Sequence, residues 1–321
     1  MTANIRIGHV ARHTPANAGA QGREAAVVDI AQDLLLRHLH SCGLLDSLAI
    51  KGGTAIRKLY AGREGRFSLD LDFAVADASI DPDEAALAFV TEVDGLEIEP
   101  FKYGVSERRG KWSVTFASPF VDAPTLATKL DFSPSPWILP AERDWVPLPI
   151  HAQYGEDPLP RIKTLRLEEN ISEKIARLNR TTTARDLYDL RWIASTPSVE
   201  RFLDKALIRK LSVLKIWVDT NGMHAGATHW KPGHAGSVFK PGRWLRDRSG
   251  DDFDAEDIGA LAVPAPSAKE LSDAVMTAYA FLSDLDDDEA VVAKSDARDR
   301  SLVIRMISEL PSPAFDPRTL F

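Results

Sequence analysis

Asp70 and Asp72 stand one residue apart in F-S-L-D-L-D-F-A-V, positions 67–75, where they alternate with Leu69, Leu71 and Phe73. Side chains of a strand repeat every two residues, so both carboxylates are expected on one face. No cation lies between them in the sequence, and they repel each other. Oxygen ligation of a hard divalent ion removes that repulsion, and Mg2+ typically takes one or two carboxylates together with substrate phosphate. Gly52 and Gly53 lie upstream, where the apolar Leu48-Ala49-Ile50 ends. A Gly-Gly turn lets the backbone approach a phosphate, and the start of the helix that follows favours negative charge. Each half also has an ordinary reading: a plain turn, and the solvated face of an edge strand.

Positioning these residues takes a strand into the glycines, a helical stretch over 54–60, a polar turn over 61–66 and a second strand over 67–75. Upstream, 1–21 is polar and small and reads as an arm or loose lead-in. A helix is expected over 23–42, where Val27, Ile30, Leu34, Leu35 and Leu39 recur at three- and four-residue steps, with Gly43 as terminator. Downstream come a helix over 82–93 with Pro82 at its start, then strands over 96–103 and 111–117 joined as a hairpin. A further strand over 125–132 carries Asp131 between Leu130 and Phe132. Seven prolines between 133 and 160 mark the boundary expected between a domain 1–155 and a mostly helical domain 156–321. The second half reads as a short strand over 162–167 and helices over 168–178, 184–194, 202–218, 268–285 and 301–310. The fold class is therefore α/β, a mixed sheet flanked by helices and followed by a mostly helical half.

G-G-T followed by D-x-D resembles the nucleotidyltransferase superfamily, whose signature is a Gly-Gly or Gly-Ser turn and then D-x-D. More narrowly, K-G-G-T-A-I-R-K-L-Y (51–60) with R-F-S-L-D-L-D-F (66–73) resembles the AbiEii/MenT group of bacterial toxin nucleotidyltransferases. E-x-x-x-x-E-K-I (168–175) followed by R-D-L-Y-D-L (185–190) matches the same group. The resemblance implies the nucleotidyltransferase fold, an NTP substrate, and Mg2+ or Mn2+ held by Asp70, Asp72 and, on a later adjacent strand, Asp131. It implies a nucleotide site of Gly52, Gly53, Thr54, Arg66 and Ser68, with Lys174 on phosphate and Asp186 or Asp189 in the active site, at the junction of the two halves. One of Asp131, Asp186 and Asp189 would activate or orient an acceptor hydroxyl. The implied acceptor is RNA, with the 3′ end of tRNA foremost, the outcome growth arrest, and the partner an antitoxin protein. From the residues themselves, Lys174 reads as a snorkelling side chain at the core edge, and Asp131 as a strand end before Ser133-Pro134. A protein hydroxyl as acceptor, and a catalytically silent module of the same fold, remain open.

A chain of 321 residues can form two domains with a sizeable core, and 44% hydrophobic with 27% charged residues is ordinary for a soluble protein. No apolar run approaches about 18 residues and the N-terminus lacks a basic-then-apolar leader, so neither a membrane span nor a signal peptide is expected. The single cysteine, Cys42, excludes an internal disulfide, fits a reducing cytoplasm and reads as a buried small residue. The net charge of −8 opposes a polyanionic partner, yet between 161 and 217 thirteen Lys and Arg face seven Asp and Glu. That surplus suits phosphate binding and a solvated helical face equally. Its candidate RNA contacts are Arg177 and Arg180, with Arg57, Lys58 and Arg66 on an opposite wall. His38 and His40, two apart on a helix, share no face and read as surface histidines. His224, His229 and His234 recur at five-residue steps, which match no ligand pattern, and read as a surface loop anchored by Trp230 and Trp244. The acidic positions 251–257 lack the calcium-loop glycine and terminal glutamate.

Overall fold

A computed structural model describes residues 3–16, 19–180, 183–221, 239 and 257–320. The histidines at 224, 229 and 234, the tryptophans at 230 and 244 and the acidic run 251–256 lie outside the described residues. The chain divides into two units. The first comprises Met1–Ser135, Pro140–Leu165 and Gly259–Ala265; the second comprises Pro136–Leu139, Arg166–Ile258 and Pro266–Phe321.

The first unit opens with two helices, α1 (Ile7–His13) and α2 (Gly19–Ser41). The N-terminal segment is thus no loose lead-in: Val10 is fully buried and Ile5 nearly so. Next come β1 (Leu48–Lys51), α3 (Gly52–Ile56), β2 (Asp70–Val75) and α4 (Pro82–Val93). The Asp81 side chain accepts from the amides of Asp83 and Glu84, and Pro82 occupies the first turn, where a missing donor costs nothing. The unit continues with β3 (Glu97–Ile98), β4 (Phe101–Arg108), β5 (Lys111–Ala117), β6 (Leu126–Ser133), β7 (Ala141–Arg143) and β8 (Ile162–Thr164). The strand expected over 96–103 is broken because Pro100 has no amide to donate to a ladder; Ile98 and Phe101 instead face each other across a reversal. All eight strands form one sheet in the order β3-β4-β5-β6-β2-β1-β8-β7.

Alternation along β2 and β6 sorts their side chains. Leu71, Phe73 and Leu130 are buried in the main core with α2 and α4, where Phe73, Phe89 and Phe132 stack and meet edge-on at 5.5–6.0 Å between centroids. Asp70, Asp72 and Asp131 therefore occupy the opposite face. Cys42 just after α2 is exposed, so the expected burial of this thiol is corrected.

α2 is buried on nearly all sides, wider than the apolar stripe at 27, 30, 34, 35 and 39 suggests, and its burial encloses Asp29 and Asp33. Their partners are Arg57 and Lys58, in a π-helical turn (Arg57–Ala61) that continues α3. Arg57 grips both oxygens of Asp29 at 2.9–3.0 Å and donates to the carbonyls of Gly62 and Gly65 at 2.9 and 2.7 Å. Lys58 bonds Asp29 Oδ1 at 3.1 Å and Asp33, whose other oxygen takes the Tyr154 hydroxyl at 2.7 Å. Burial pushes the Asp29 carboxyl up, but the Arg57 and Lys58 cations overcome it and hold it well below the usual carboxylate range. Arg57 and Lys58 are 2% and 5% exposed, so the expectation that they line an RNA-binding wall is overturned. The network makes them the clamp that fixes the segment downstream of the glycines.

The second unit is helical among its described residues: α5 (Leu167–Leu178), α6 (Ala184–Ser195), α7 (Pro197–Glu200), α8 (Lys205–Asn221), α9 (Ala268–Ala278), α10 (Asp287–Val292) and α11 (Arg300–Ser308). The helix expected over 268–285 ends at Ala278 and gives way to a tighter turn over Ala280–Ser283. Glu169, fully buried, accepts the amides of Trp137 and Ile138 at 2.8 and 3.1 Å and the Lys215 ammonium at 2.9 Å. These bonds account for the membership of Pro136–Leu139 in this unit.

Candidate active site

The register of the central strands sets the acidic residues side by side. β1 and β2 run antiparallel with Lys51 opposite Asp72, and β2 and β6 run parallel with Asp72 beside Asp131 and Asp70 beside Lys129. Neighbours in register share a face, so Lys51, Asp72 and Asp131 form one row across three strands and Asp70 and Lys129 a second. Asp70 and Asp72 are half-buried and Asp131 is exposed. Asp131 lies 59 positions beyond Asp72 in the chain, and only strand pairing brings the two together. Lys51 and Lys129, which the sequence motifs left unassigned, place cations beside the carboxylates. No local signal marks them, because their position depends on register.

The glycine turn meets this face at close quarters. Gly52 has φ +71°, a conformation L side chains rarely adopt, and a β-carbon there would sit 2.7 Å from Asp72 Oδ2. A β-carbon on Gly53 would overlap the Arg66 guanidinium. The pair is therefore glycine because a carboxylate and a guanidinium press against that backbone. Arg66 is 6% exposed, which removes it from an RNA-facing wall and puts it against the turn. Thr54 is buried and its hydroxyl donates to the Asp70 carbonyl, tying α3 to β2. Ser68 is buried as well, and its carbonyl accepts from Gln32 at 3.1 Å. Thr54 thus holds the strand end in place through a bond that uses its hydroxyl.

In the second unit, Lys174 on α5 lies between two aspartates of α6. Its ammonium is 3.0 Å from Asp186 Oδ1 and 2.8 Å from Asp189 Oδ2, and all three side chains are buried. The snorkelling reading of Lys174 is thereby corrected, since its charged end is not in water. Burial pushes the Asp186 carboxyl up, but Lys174 and Arg177 beside it, with the Thr183 hydroxyl, more than offset this and bring it to about 2. Asp186 and Asp189, three apart on one helix, meet the same cation.

Much of the basic surplus between 161 and 217 is matched by carboxylates. Arg209 pairs with Glu289 at 2.6 Å, Lys215 with Glu169 at 2.9 Å and Lys205 with Glu200 at 2.6 Å. Arg177 and Arg180 are about half exposed, and each reaches one aspartate, Asp186 at 3.4 Å and Asp219 at 3.3 Å. Among the described residues no helix is long and apolar enough to cross a membrane.

Comparison with known proteins identifies the family. The family described as "Nucleotidyl transferase AbiEii toxin, Type IV TA system" matches residues 33–318. MenT4, a nucleotidyltransferase toxin from Mycobacterium tuberculosis H37Rv, has a similar structure with a TM-score of 0.80 and 33% identity, covering 96% of this chain and 100% of that one. An antigenic nucleotidyltransferase-like protein from Paracoccidioides brasiliensis is 16% identical over 50% of this chain and 73% of its own, with a TM-score of 0.30. No curated protein matches the chain. With a sheet and two helical motifs of the expected kind and a family match over most of its length, this chain belongs to the AbiEii family of nucleotidyltransferase toxins.

Proposed function

We propose that this nucleotidyltransferase adds nucleotides from an NTP to the 3′ end of an RNA acceptor, foremost tRNA, and so arrests growth until an antitoxin protein counteracts it. The observation that carries the reading is the row of Asp72 and Asp131, with Asp70 two residues before Asp72, on a sheet face that meets the Gly52-Gly53 turn. The donor set is carboxylate oxygen throughout, which fits Mg2+, or Mn2+, and suits softer metals poorly. Asp70, Asp72 and Asp131 would hold it. When bound, such an ion neutralises charge on the NTP phosphates and at the developing transition state.

The remaining roles belong to the chain itself. Gly52 and Gly53 present their backbone to the triphosphate, and Arg66, packed against Gly53, supplies positive charge beside it. Asp131, at the more exposed end of the row, orients the acceptor hydroxyl and takes its proton as the oxygen attacks the α-phosphorus and pyrophosphate departs. The phosphate role of Lys174 rests on the E-K-I match, because its ammonium already bonds Asp186 and Asp189. Which of those two aspartates contributes to transfer rests on the same match.

The test is incubation with each labelled NTP, Mg2+ and total RNA, followed by separation of RNA from protein. The expected result is label at RNA 3′ ends in the tRNA fraction, lost in Asp70→Asn and Asp72→Asn. Label in protein would move the acceptor to a Ser, Thr or Tyr hydroxyl. No label from any NTP, with Mn2+ as well as Mg2+, would refute transfer to either.

A further inference from the structure

A cluster remote in character from the oxygen-rich sheet face lies where two helices of the first unit end. His38 is in the last turn of α2, Cys42 follows one residue after its end, and Glu92 is the penultimate residue of α4. The amide of Cys42 donates to the His38 carbonyl at 3.0 Å, so the helical path carries through and the two side chains share a face at a four-residue step. One ligand-type atom from each of the three residues lies within 4.8 Å of the others. His38 Nε2 is already 2.6 Å from Glu92 Oε1, and the Cys42 thiol donates to the Leu39 carbonyl at 3.3 Å. His38 is part-buried while Cys42 and Glu92 are exposed, so solvent ions reach them.

We propose that His38, Cys42 and Glu92 form a binding site for a thiophilic divalent transition metal of the zinc(II) class, joining the ends of α2 and α4. Three arguments converge on that chemistry. One thiolate, one imidazole and one carboxylate make a mixed S, N, O set, which favours zinc and its neighbours over the hard ions suited to the sheet face. Zinc bonds of about 2.0–2.3 Å place tetrahedral ligands roughly 3.3–3.8 Å apart, within reach of side-chain rotation from the present positions. Both helices also direct their C-terminal ends here, where the negative end of the helix dipole favours a cation. Binding displaces the thiol proton to solvent and uses the neutral imidazole through Nε2, where the Glu92 contact now stands. A fourth position is left for water. Because α2 and α4 cover the core side of the strands that carry Asp70, Asp72 and Asp131, a metal there braces the layer behind the carboxylate face.

Cys42 is the chain's single cysteine, so any metal–thiolate signal reports this site and no other. The experiment titrates chelator-treated protein with Co2+, recording thiolate-to-cobalt charge transfer in the near ultraviolet, and then with Zn2+, recording thermal stability and protection of the thiol from a disulfide reagent. The expected result is a saturable one-to-one charge-transfer band that Zn2+ bleaches and millimolar Mg2+ leaves intact. Zn2+ should raise the melting temperature by several degrees. Cys42→Ser should abolish the band and the zinc-induced rise, and His38→Gln and Glu92→Gln should each weaken Co2+ binding at least tenfold. These positions are exposed or half-exposed, so the variants are expected to fold. Absence of the band at millimolar Co2+ overturns the site. So does unchanged affinity in both His38→Gln and Glu92→Gln, or an undiminished zinc-induced rise in Cys42→Ser.

Discussion

Two groups of charges in the first unit invite comparison. On the sheet face, Asp70, Asp72 and Asp131 collect three carboxylates beside Lys51 and Lys129, and none of the three is fully buried. Inside, Asp29 and Asp33 are buried against Arg57 and Lys58, with Tyr154, His13 and His151 completing their bonds. Both groups come largely from the same motif, since Arg57 and Lys58 follow the glycines and Asp70 and Asp72 close the segment. A buried charge lacking its partner is costly, so an interior network must be closed. The proposed phosphate- and metal-binding face would instead need its carboxylates accessible, at some cost in mutual repulsion. The difference teaches that charge type and spacing do not distinguish an accessible carboxylate group from a closed interior network; burial does.

Breaking the open group should remove chemistry and leave the fold. Asp72→Asn is expected to lower transfer at least a thousandfold, about 4 kcal/mol of transition-state stabilisation, with a melting temperature close to that of the parent. Near-parental turnover would remove Asp72 from the proposed metal set. Breaking the closed group should do the reverse. Arg57→Met leaves buried Asp29 short of a cation and is expected to cost about 3 kcal/mol in chemical denaturation. A change below about 1 kcal/mol would mean that the pair behaves like a solvated surface bridge.

The contact between glycine turn and carboxylate face sharpens the comparison at smaller scale. Gly52→Ala sets a β-carbon against Asp72 Oδ2 at a positive φ. It should lose about 1 kcal/mol or more of stability and at least tenfold in turnover, measured together on one preparation. A loss of stability with turnover intact would separate the turn from the substrate.

Asp186 offers a test of closure in the second unit. Lys174 and Arg177 bring its folded carboxyl down to about 2, below the ordinary aspartate value of about 3.9. As pH falls, the unfolded chain takes up the proton first, so this group's stabilisation is whole above about pH 4 and lost on descent towards 2. The contribution is about 2 kcal/mol. Denaturation curves across that window should be flatter for Asp186→Asn than for the parent, and equal slopes would place the Lys174 pairing in solvent. The smallest effect concerns Arg177 and Arg180, which remain half exposed. Replacing both with glutamine should flatten the salt dependence of RNA binding by roughly 1.5 in log–log slope, at about 0.7 per single-strand phosphate. An unchanged slope would assign these arginines to Asp186 and Asp219 only.

Much of the element plan was legible because it depends on local pattern. The helix at 82–93 and the strand at 111–117 stand where Pro82 and the alternating apolar residues place them, and α5 and α6 begin within a residue of expectation. The N-terminal helix escaped because 1–21 shows no periodicity, while Val10 is buried by tertiary packing. Cys42 was misread for the converse reason: apolar neighbours in sequence do not fix which side of a helix end faces water. Lys174 and the Arg57-Lys58 pair share that difficulty. A cation beside an apolar stripe is written alike whether its end reaches water, a phosphate or a buried aspartate.

The sequence by itself determined the motif order, the same-face placement of Asp70 and Asp72, the α/β class and the family, because each rests on residues close in the chain or on a string of identities. Tertiary structure decided the rest. Strand pairing brought Asp131 beside Asp72 and Lys51 opposite it, and helix packing enclosed Asp29, Asp33, Arg57 and Lys58 while giving Lys174 two partners. Register and burial are set by contacts between residues far apart in sequence, and a local pattern carries no record of them.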